Sequence, residues 1–138
     1  MGVSRALAWA LLLSTAAAAS AAYATEPGEC GGLYTDGKGK IINYVGPETE
    51  CVWTFKLDPD LKAMVGFPFF KFEGAPKNCE KEYVEVIDGP PGSKSLGRMC
   101  NAYSTFIASS SNIITVKYSR IPSHPPSFFE VYYFPKSY

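Results

Sequence analysis

The sequence predicts an all-β fold, an antiparallel β-sandwich of short strands, and three observations support this prediction. Apolar and polar residues alternate in several short runs, which is the period of a half-buried strand. Clusters of Gly, Pro, Asn, Asp and Ser separate these runs at intervals of roughly 8 to 15 residues. No segment sustains the helical period of about 3.6 residues. The chain is therefore expected to bury two sheet faces against each other.

The clearest predicted strand covers residues 51–57. Its odd positions are all apolar and define one face: Cys51, Trp53, Phe55 and Leu57. This face is expected to enter the core together with a disulfide. Further strands are predicted at residues 69–72, 83–87, 113–118 and 128–134.

The composition limits the classes of function. The chain of 138 residues has 13 basic and 13 acidic side chains, and 46% of its residues are hydrophobic. Balanced charge excludes a protein that coats nucleic acid or an acidic membrane by bulk electrostatics, because both need an excess of Lys and Arg. The hydrophobic content excludes wholesale disorder.

The N-terminus has the pattern of a secretory signal. A short region with Arg5 precedes an apolar run over residues 6–19, and Ala-Tyr-Ala at 22–24 is a cleavage site of the usual type. An uncleaved membrane anchor is the alternative. The predicted organisation is a signal at 1–24, a lead-in at 25–29, one domain at 30–135 and a tail at 136–138. We expect a secreted protein with no membrane span after cleavage.

The four cysteines are spaced as two equal intervals. Cys30 and Cys51 are 21 positions apart, and so are Cys79 and Cys100. Of the three pairings, the sequential one is favoured because each loop would bridge neighbouring strands, contributing about 3 kcal/mol per closure. A zinc site is the alternative, but it favours cysteines two to four residues apart, and secretion oxidises thiols.

The order and spacing of several motifs resemble the CUB domain, an extracellular family. The motifs are Cys30-Gly-Gly32, Cys51-Val-Trp53, Phe70-Lys-Phe-Glu73, Cys79 with the run from Glu82 to Gly89, Leu96 to Cys100, Ser109 to Asn112, Phe129 and Tyr132. The resemblance covers residue 30 to about residue 133. It implies a jelly-roll-like sandwich of about ten strands with the pairs Cys30–Cys51 and Cys79–Cys100.

Many CUB domains bind calcium through a glutamate, two aspartates and a tyrosine. The resemblance carries the glutamate to Glu73 and the first aspartate to Glu82, but the second falls on the loop 119–121, which has no carboxylate. Residues 89–129 contain no Asp or Glu at all. Because calcium needs six to eight oxygen ligands, we expect no cofactor, and Glu73 and Glu82 would be the ligands of any metal.

Arg120 occupies the loop that lacks the aspartate. We hypothesise that its guanidinium pairs with Glu73 or Glu82 and ties the loops together without metal. The alternative is a solvated arginine that contributes little.

Catalytic chemistry is not predicted. His124, the single histidine, lies among prolines and is expected to be solvated, and Ser109 to Ser111 are expected to form a turn. Carboxylates that could suggest a glycosidase are expected to be solvated edge and loop charges: Glu80, Glu82, Glu85 and Asp88. We therefore predict that the protein is not an enzyme.

Binding surfaces are predicted from charge and from aromatic residues. Segment 89–129 carries four cations and no acid: Lys94, Arg98, Lys117 and Arg120. We expect neighbouring acids to cancel this charge; otherwise a basic strip would hold a sulfated glycan or an acidic protein. Contact area is expected from Tyr34, Tyr44, Tyr103, Tyr118 and the loop 122–126 with His124.

These features predict a secreted recognition module that binds an extracellular protein or glycan without covalent chemistry. Stand-alone CUB domains resemble the spermadhesins, which favours a carbohydrate or protein ligand. One alternative is a non-catalytic CUB fragment or relative of a larger secreted astacin- or trypsin-like protease. Another is an extracellular matrix component, suggested by nine tyrosines. No nucleic-acid partner is expected.

Overall fold

The computed structural model describes residues 29–42, 46–72 and 79–136. Within these ranges the chain forms eleven strands and no helix. The strands are β1 (Gly32–Tyr34), β2 (Gly39–Ile42), β3 (Glu50–Lys56), β4 (Ala63–Phe67), β5 (Phe70–Lys71), β6 (Glu82–Asp88), β7 (Lys94–Met99), β8 (Asn101–Ala102), β9 (Thr105–Ala108), β10 (Ile113–Arg120) and β11 (Glu130–Pro135). The predicted all-β fold is confirmed.

The strands form two large sheets. Sheet A has the order β1-β3-β10-β6-β7, sheet B has the order β2-β11-β4-β9, and β5 and β8 make a separate pair. The pairs are antiparallel as predicted, except that β1 runs parallel to β3. No helix that could cross a membrane is found in the part of the chain that the structure describes. The predicted signal at residues 1–24 lies outside that part.

The parallel pair follows from the first disulfide. Cys30 precedes β1 and Cys51 lies in β3, so both strands leave the Cys30–Cys51 bridge in the same direction. Gly32 is the register partner of Trp53, which keeps the offset of 21 residues set by the bridge. Gly31 has a φ of 99°, and a Cβ there would lie 2.6 Å from the carbonyl oxygen of Val52, so the close approach requires glycine.

Both predicted disulfides are present, Cys30–Cys51 and Cys79–Cys100, with Cα atoms 4.7 and 5.4 Å apart. No cysteine is free. The zinc alternative is therefore wrong.

The core lies between the two large sheets. The predicted apolar face of residues 51–57 is buried throughout. Phe129 sits at the centre, where its ring lies 6.0 Å from that of Trp53 and 5.6 Å from that of Tyr118, centroid to centroid. Phe72 adds a third neighbour at 5.9 Å. Burial of these large aromatic side chains contributes to the hydrophobic stabilisation of the sandwich.

The two aromatic segments form shorter strands than predicted. Residues 69–72 contribute only the two-residue strand β5, and β11 begins at Glu130 rather than at Phe128. Phe69 and Phe128 are instead exposed. Because consecutive aromatic residues do not alternate with polar ones, the sequence pattern does not predict which of them enter the core.

Candidate functional site

Glu82 is the most deeply buried charged side chain in the described part of the chain, with 1% of its surface exposed. Its Oε2 atom accepts hydrogen bonds from the hydroxyl of Tyr118 and from the backbone N–H of Ser127, at 2.8 Å in the second case. Its Oε1 atom accepts a 2.6 Å hydrogen bond from Ser127 Oγ. The prediction that Glu82 is a solvated edge charge is therefore wrong. The carboxylate joins β6, β10 and the segment before β11.

His124 is also buried, so the prediction of a solvated histidine is wrong. Its Nδ1 atom lies 2.8 Å from the carbonyl oxygen of Pro125 and 3.7 Å from Glu82 Oε1. The loop turns back on itself through a 3.0 Å hydrogen bond from the N–H of His124 to the carbonyl of Ile121. This turn carries the ring into the interior.

Arg120 faces Glu82 across the β10–β6 pair, but the two side chains form no ion pair in the described structure. The guanidinium instead donates to backbone carbonyls, at 2.6 Å to His124 and at 2.9 Å to Gly46, with a longer contact of 3.4 Å to Glu48. Arg120 is buried, so the solvated alternative is wrong as well. Arg120 ties the loops together through these carbonyl groups, so the hypothesised ion pair with Glu82 is wrong.

Two of the predicted contact tyrosines belong to the core. Tyr118 is fully buried, and its burial together with the Glu82 carboxylate raises the pKa of the phenol well above its ordinary range. Tyr118 is therefore a neutral hydrogen-bond donor at physiological pH. Tyr34 is half-buried, with its ring 5.5 Å from Phe55 and 6.1 Å from Tyr133, and burial raises its pKa. Tyr44 lies outside the described residues.

Tyr103 is a predicted contact residue that does lie on the surface, with 70% of its surface exposed. Its ring lies 5.0 Å from that of Phe69, which is also exposed. Both are next in sequence to residues that line a groove on the outer surface of sheet B, Ser104 and Pro68. We call the outer side of sheet B, together with this pair, the aromatic face. Its residues are Phe69, Tyr103, Phe106, Tyr132 and Phe134.

One row of cross-strand neighbours organises the aromatic face. The residues directly opposite one another across the four strands of sheet B are Lys40, Tyr132, Gly66 and Phe106. Gly66 is buried, and the ring of Phe106 packs over it, since a Cβ at Gly66 would lie 2.9 Å from Phe106 Cε1. Phe134 lies beside Phe106, with 6.2 Å between the two ring centroids.

These rings border a groove of about 300 Å³ on the outer side of sheet B. Its lining consists of Gly66, Phe67, Pro68, Ser104, Phe106, Tyr132 and Phe134. A second groove shares Tyr132 and Phe134 and continues towards Lys38 and Lys40. Because the residues between the two grooves are shared, the two form one continuous surface.

A family model of the CUB domain matches residues 30–133. The chain belongs to the CUB domain family. This CUB domain is 59% identical to a human CUB domain-containing protein over 134 residues, which are 97% of the chain and 95% of the relative. It is also 44% identical to the pig major seminal plasma glycoprotein PSP-I over 95% of the chain and 94% of that relative.

Further relatives and solved structures agree with the assignment. The pig carbohydrate-binding protein AWN is 43% identical over 91% of the chain and 78% of its own length. The full extracellular region of zebrafish Gpr126/Adgrg6 matches with a TM-score of 0.66 and 20% identity, covering 80% of this chain and 15% of that one. The MASP-1 CUB2 domain bound to Ca²⁺ matches with a TM-score of 0.61 and 24% identity, covering 74% and 96%. These structural matches show the shared sandwich.

The described residues of this CUB domain do not fit a calcium ion. Both oxygens of Glu82 are already engaged by protein donors, and the buried cation of Arg120 lies on the neighbouring strand. Residues 29–42, 46–72 and 79–136 contain no group of three metal-ligating side chains. Glu73, the other predicted ligand and the other predicted partner of Arg120, lies outside these ranges.

Acidic residues lie close to the basic residues of segment 89–129, as expected from the sequence. On the outer side of sheet A, Lys117 lies 3.4 Å from Glu50, and Arg98 lies 3.6 Å from Glu85. Arg120 is buried and contributes no surface charge. Among the described residues of sheet A there is therefore no continuous basic strip.

Asp88 organises the serine turn that the sequence predicted. Its Oδ1 atom accepts hydrogen bonds from Ser109 Oγ at 2.6 Å and from the N–H of Ser110 at 2.7 Å, and its Oδ2 accepts from Ser110 Oγ at 2.9 Å. The hydrogen bond from Ser109 is the main cause that lowers the pKa of Asp88. The role of Asp88 as a turn anchor was not predicted.

Replacing Asp88 with Asn is expected to make the stability of the CUB domain less sensitive to acid. Because folding lowers the pKa of Asp88, the ionised carboxylate stabilises the folded state at pH values above its unfolded pKa, about 3.9. This stabilisation is lost as the pH falls through the native pKa. Urea unfolding of the wild type and of Asp88→Asn should therefore differ at pH 7, and the difference should begin to shrink only as the pH falls below about 4. Asp60→Asn, at an exposed turn position, is the control; equal pH profiles for Asp88→Asn and the wild type would contradict the role of Asp88.

Proposed function

We propose that this protein is a secreted recognition module that binds an extracellular glycan or protein non-covalently through the aromatic face. The observation that carries the proposal is the groove on the outer side of sheet B, which is lined by the exposed rings of Phe106 and Tyr132 and the half-buried ring of Phe134. Exposed apolar surface costs solubility, so a contiguous patch of it on a small domain indicates a binding site.

The rigidity of the aromatic face supports binding. Exposed Tyr132 and half-buried Phe134 alternate along β11 with the buried residues Val131 and Tyr133, so the core fixes the backbone beneath both outward-facing rings. Aromatic side chains have few rotatable bonds and lose little conformational entropy when a ligand covers them.

The relatives favour a carbohydrate as the ligand class. AWN from pig and from horse are named carbohydrate-binding proteins, and both are 43% identical to this chain. The PSP-I and PSP-II relatives are named as glycoproteins of seminal plasma, a secreted fluid. The two disulfides are consistent with secretion, because they form in oxidising compartments.

The arrangement of the titratable groups supports a role without catalysis. Glu82, His124 and Tyr118 come within reach of one another, but all three are buried and their hydrogen bonds go to protein groups. A general base must reach a substrate proton directly or through one water. The cluster stabilises the loops of the sandwich, and the accessible surface is left for binding.

Removing one ring of the aromatic face tests the proposal. The oxidised protein without residues 1–24 is applied to an immobilised glycan panel and used to capture proteins from extracellular fluid. Phe106→Ala should weaken the binding that the wild type shows by about tenfold or more, because aromatic anchors carry most of the binding free energy of an interface. Leu33→Ala is the matched control, since Leu33 is equally exposed but lies on sheet A. Undiminished binding by Phe106→Ala, or absence of any ligand in both assays, would contradict the proposal.

A further inference from the structure

We infer that Ser123 is the acceptor of an O-linked glycan whose first sugar is N-acetylgalactosamine, donated by UDP-N-acetylgalactosamine. In the transfer, the bond between the anomeric carbon and the phosphate oxygen of UDP breaks, and a bond forms between that carbon and Ser123 Oγ. UDP leaves with the electron pair, and the hydroxyl proton is released. Four properties of the loop after β10 carry the inference: the position of the hydroxyl, its hydrogen bonding, the anchoring of the loop and the flanking prolines.

Ser123 lies at the tip of a tight turn. The turn closes through the 3.0 Å hydrogen bond from the N–H of His124 to the carbonyl of Ile121, and its two central residues are Pro122 and Ser123. Proline favours this turn because its ring fixes the φ that the second residue of a turn requires. Both central residues are exposed. The side chain of Ser123 is therefore accessible to an enzyme that approaches from solvent.

The hydroxyl of Ser123 makes no hydrogen bond to the residues that the structure describes. Two other loop serines do: Ser109 Oγ donates to Asp88 and Ser127 Oγ donates to Glu82, both at 2.6 Å. A sugar on either of these serines would remove the donor hydrogen and break a contact that holds a loop. Because attachment at Ser123 breaks no such contact, the modification is compatible with the folded domain.

The loop is held in place on both sides of Ser123. Before it, the N–H of Ile121 donates to the carbonyl of Lys81 at 2.9 Å. After it, the carbonyl of His124 accepts a 2.6 Å hydrogen bond from the Arg120 guanidinium, and the His124 side chain is buried. Folding therefore orders the acceptor before an enzyme binds it, which lowers the entropy cost of recognition.

The residues around Ser123 have the composition of an O-glycosylated segment. Pro122 precedes Ser123 directly, and Pro125 and Pro126 follow two and three positions later. Serine among prolines is typical of O-linked glycosylation in secreted proteins. The 138 residues contain no Asn-x-Ser/Thr sequence, so they offer no acceptor for an N-linked glycan. The inference shares only secretion with the proposed function.

A glycan at Ser123 would also cover apolar surface. Ile121, Pro122 and Pro125 are all exposed beside it. A sugar can lay its C–H groups on these side chains while its hydroxyl groups face water, which reduces the apolar area left in contact with solvent. None of these residues lines the two grooves of the aromatic face. The glycan therefore leaves the proposed binding surface open.

Mass spectrometry of the protein secreted by mammalian cells tests the inference. The full chain is expressed, and trypsin releases the peptide of residues 121–136, which contains two serines, Ser123 and Ser127, and no threonine. We expect a glycan that begins with an N-acetylhexosamine, placed on Ser123 by fragmentation that preserves the glycosidic bond. In cells that cannot make UDP-N-acetylgalactosamine the sugar should be absent, and it should return when N-acetylgalactosamine is supplied.

Two pairs of variants assign the acceptor. Ser123→Ala should lose the glycan, whereas Ser110→Ala, which removes an exposed serine bonded to Asp88, should keep it. Pro122→Ala should lower the glycosylated fraction, whereas Pro91→Ala, at the same position in the turn of residues 90–93, should not. Thermal unfolding like that of the wild type shows that each variant folds.

Several results would overturn the inference. They are an unmodified peptide, a phosphate in place of the sugar, a sugar on Ser127, a sugar that does not depend on N-acetylgalactosamine, and a glycosylated fraction that Pro122→Ala leaves unchanged. If the secreted peptide is unmodified while Phe106→Ala loses its ligands, the inference fails and the aromatic face remains the binding surface.

Discussion

Replacing Glu82 with Gln is expected to lower the free energy of unfolding by about 3 kcal/mol, because the buried carboxylate accepts hydrogen bonds from three donors. The glutamine amide replaces one acceptor oxygen by an NH₂ donor, which faces groups that donate to the carboxylate in the wild type. The hydroxyl of Tyr118 and the N–H and hydroxyl of Ser127 then compete for one oxygen. Urea unfolding followed by the fluorescence of Trp53, the one tryptophan in residues 25–138, measures the change.

Glu48→Gln is the matched control, since Glu48 is exposed and only its backbone carbonyl contacts Arg120. This variant should stay within about 0.5 kcal/mol of the wild type, as surface substitutions usually do. An unfolding free energy for Glu82→Gln equal to that of Glu48→Gln would show that the network does not hold the loops together.

Replacing Phe129 with Ala is expected to cost about 4 kcal/mol, whereas the same change at the neighbouring Phe128 should cost less than about 0.5 kcal/mol. Phe129 is 1% exposed and its ring meets those of Trp53 and Tyr118, among others, so truncation leaves a cavity between the sheets. Phe128 is 61% exposed. Both substitutions replace Phe with Ala at neighbouring positions, so the two sites differ in the burial of the side chain.

Denaturant unfolding of both variants decides this prediction. Similar losses at the two positions would mean that the chain before β11 does not enter the core as the structure describes. A larger loss at Phe128 would reverse the assignment of inward and outward faces in this segment.

The sequence was sufficient where a local pattern decides the structure. Alternation over residues 51–57 is set by the two-residue period of a strand, so the buried face of β3 could be predicted without knowing its neighbours. The disulfide pairs followed from the spacing of the cysteines and from the expected adjacency of strands. The parallel direction of β1 was missed, because the side-chain pattern of a three-residue strand does not encode its direction.

The buried polar network could not be predicted for a different reason. Whether Glu82 enters the interior depends on donors from Tyr118 and Ser127, which are 36 and 45 positions away in the sequence. A carboxylate on a strand end is normally solvated, and only partners brought by the tertiary fold reverse that preference. The same holds for Arg120, whose acceptors are carbonyl groups that any residue type could supply.

The aromatic face was missed because its sequence signal is ambiguous. Residues 132–134 are aromatic at every position, so both faces of β11 satisfied the pattern of a buried strand. Only the register with β4 shows that Tyr132 and Phe134 point outwards beside Gly66 and Met64. Of the predicted contact residues that the structure describes, Tyr103 alone joins this surface.

Mapping a bound ligand by NMR tests the central claim most directly. The ¹⁵N-labelled, oxidised protein is titrated with the tightest ligand found on the glycan panel or captured from fluid, and amide and aromatic shift changes are assigned to residues. We predict that the largest changes occur in β4, β9 and β11 and around Lys38 and Lys40. Changes concentrated in the loop 121–127 above Glu82, or on the outer side of sheet A, would contradict the assignment of recognition to the aromatic face.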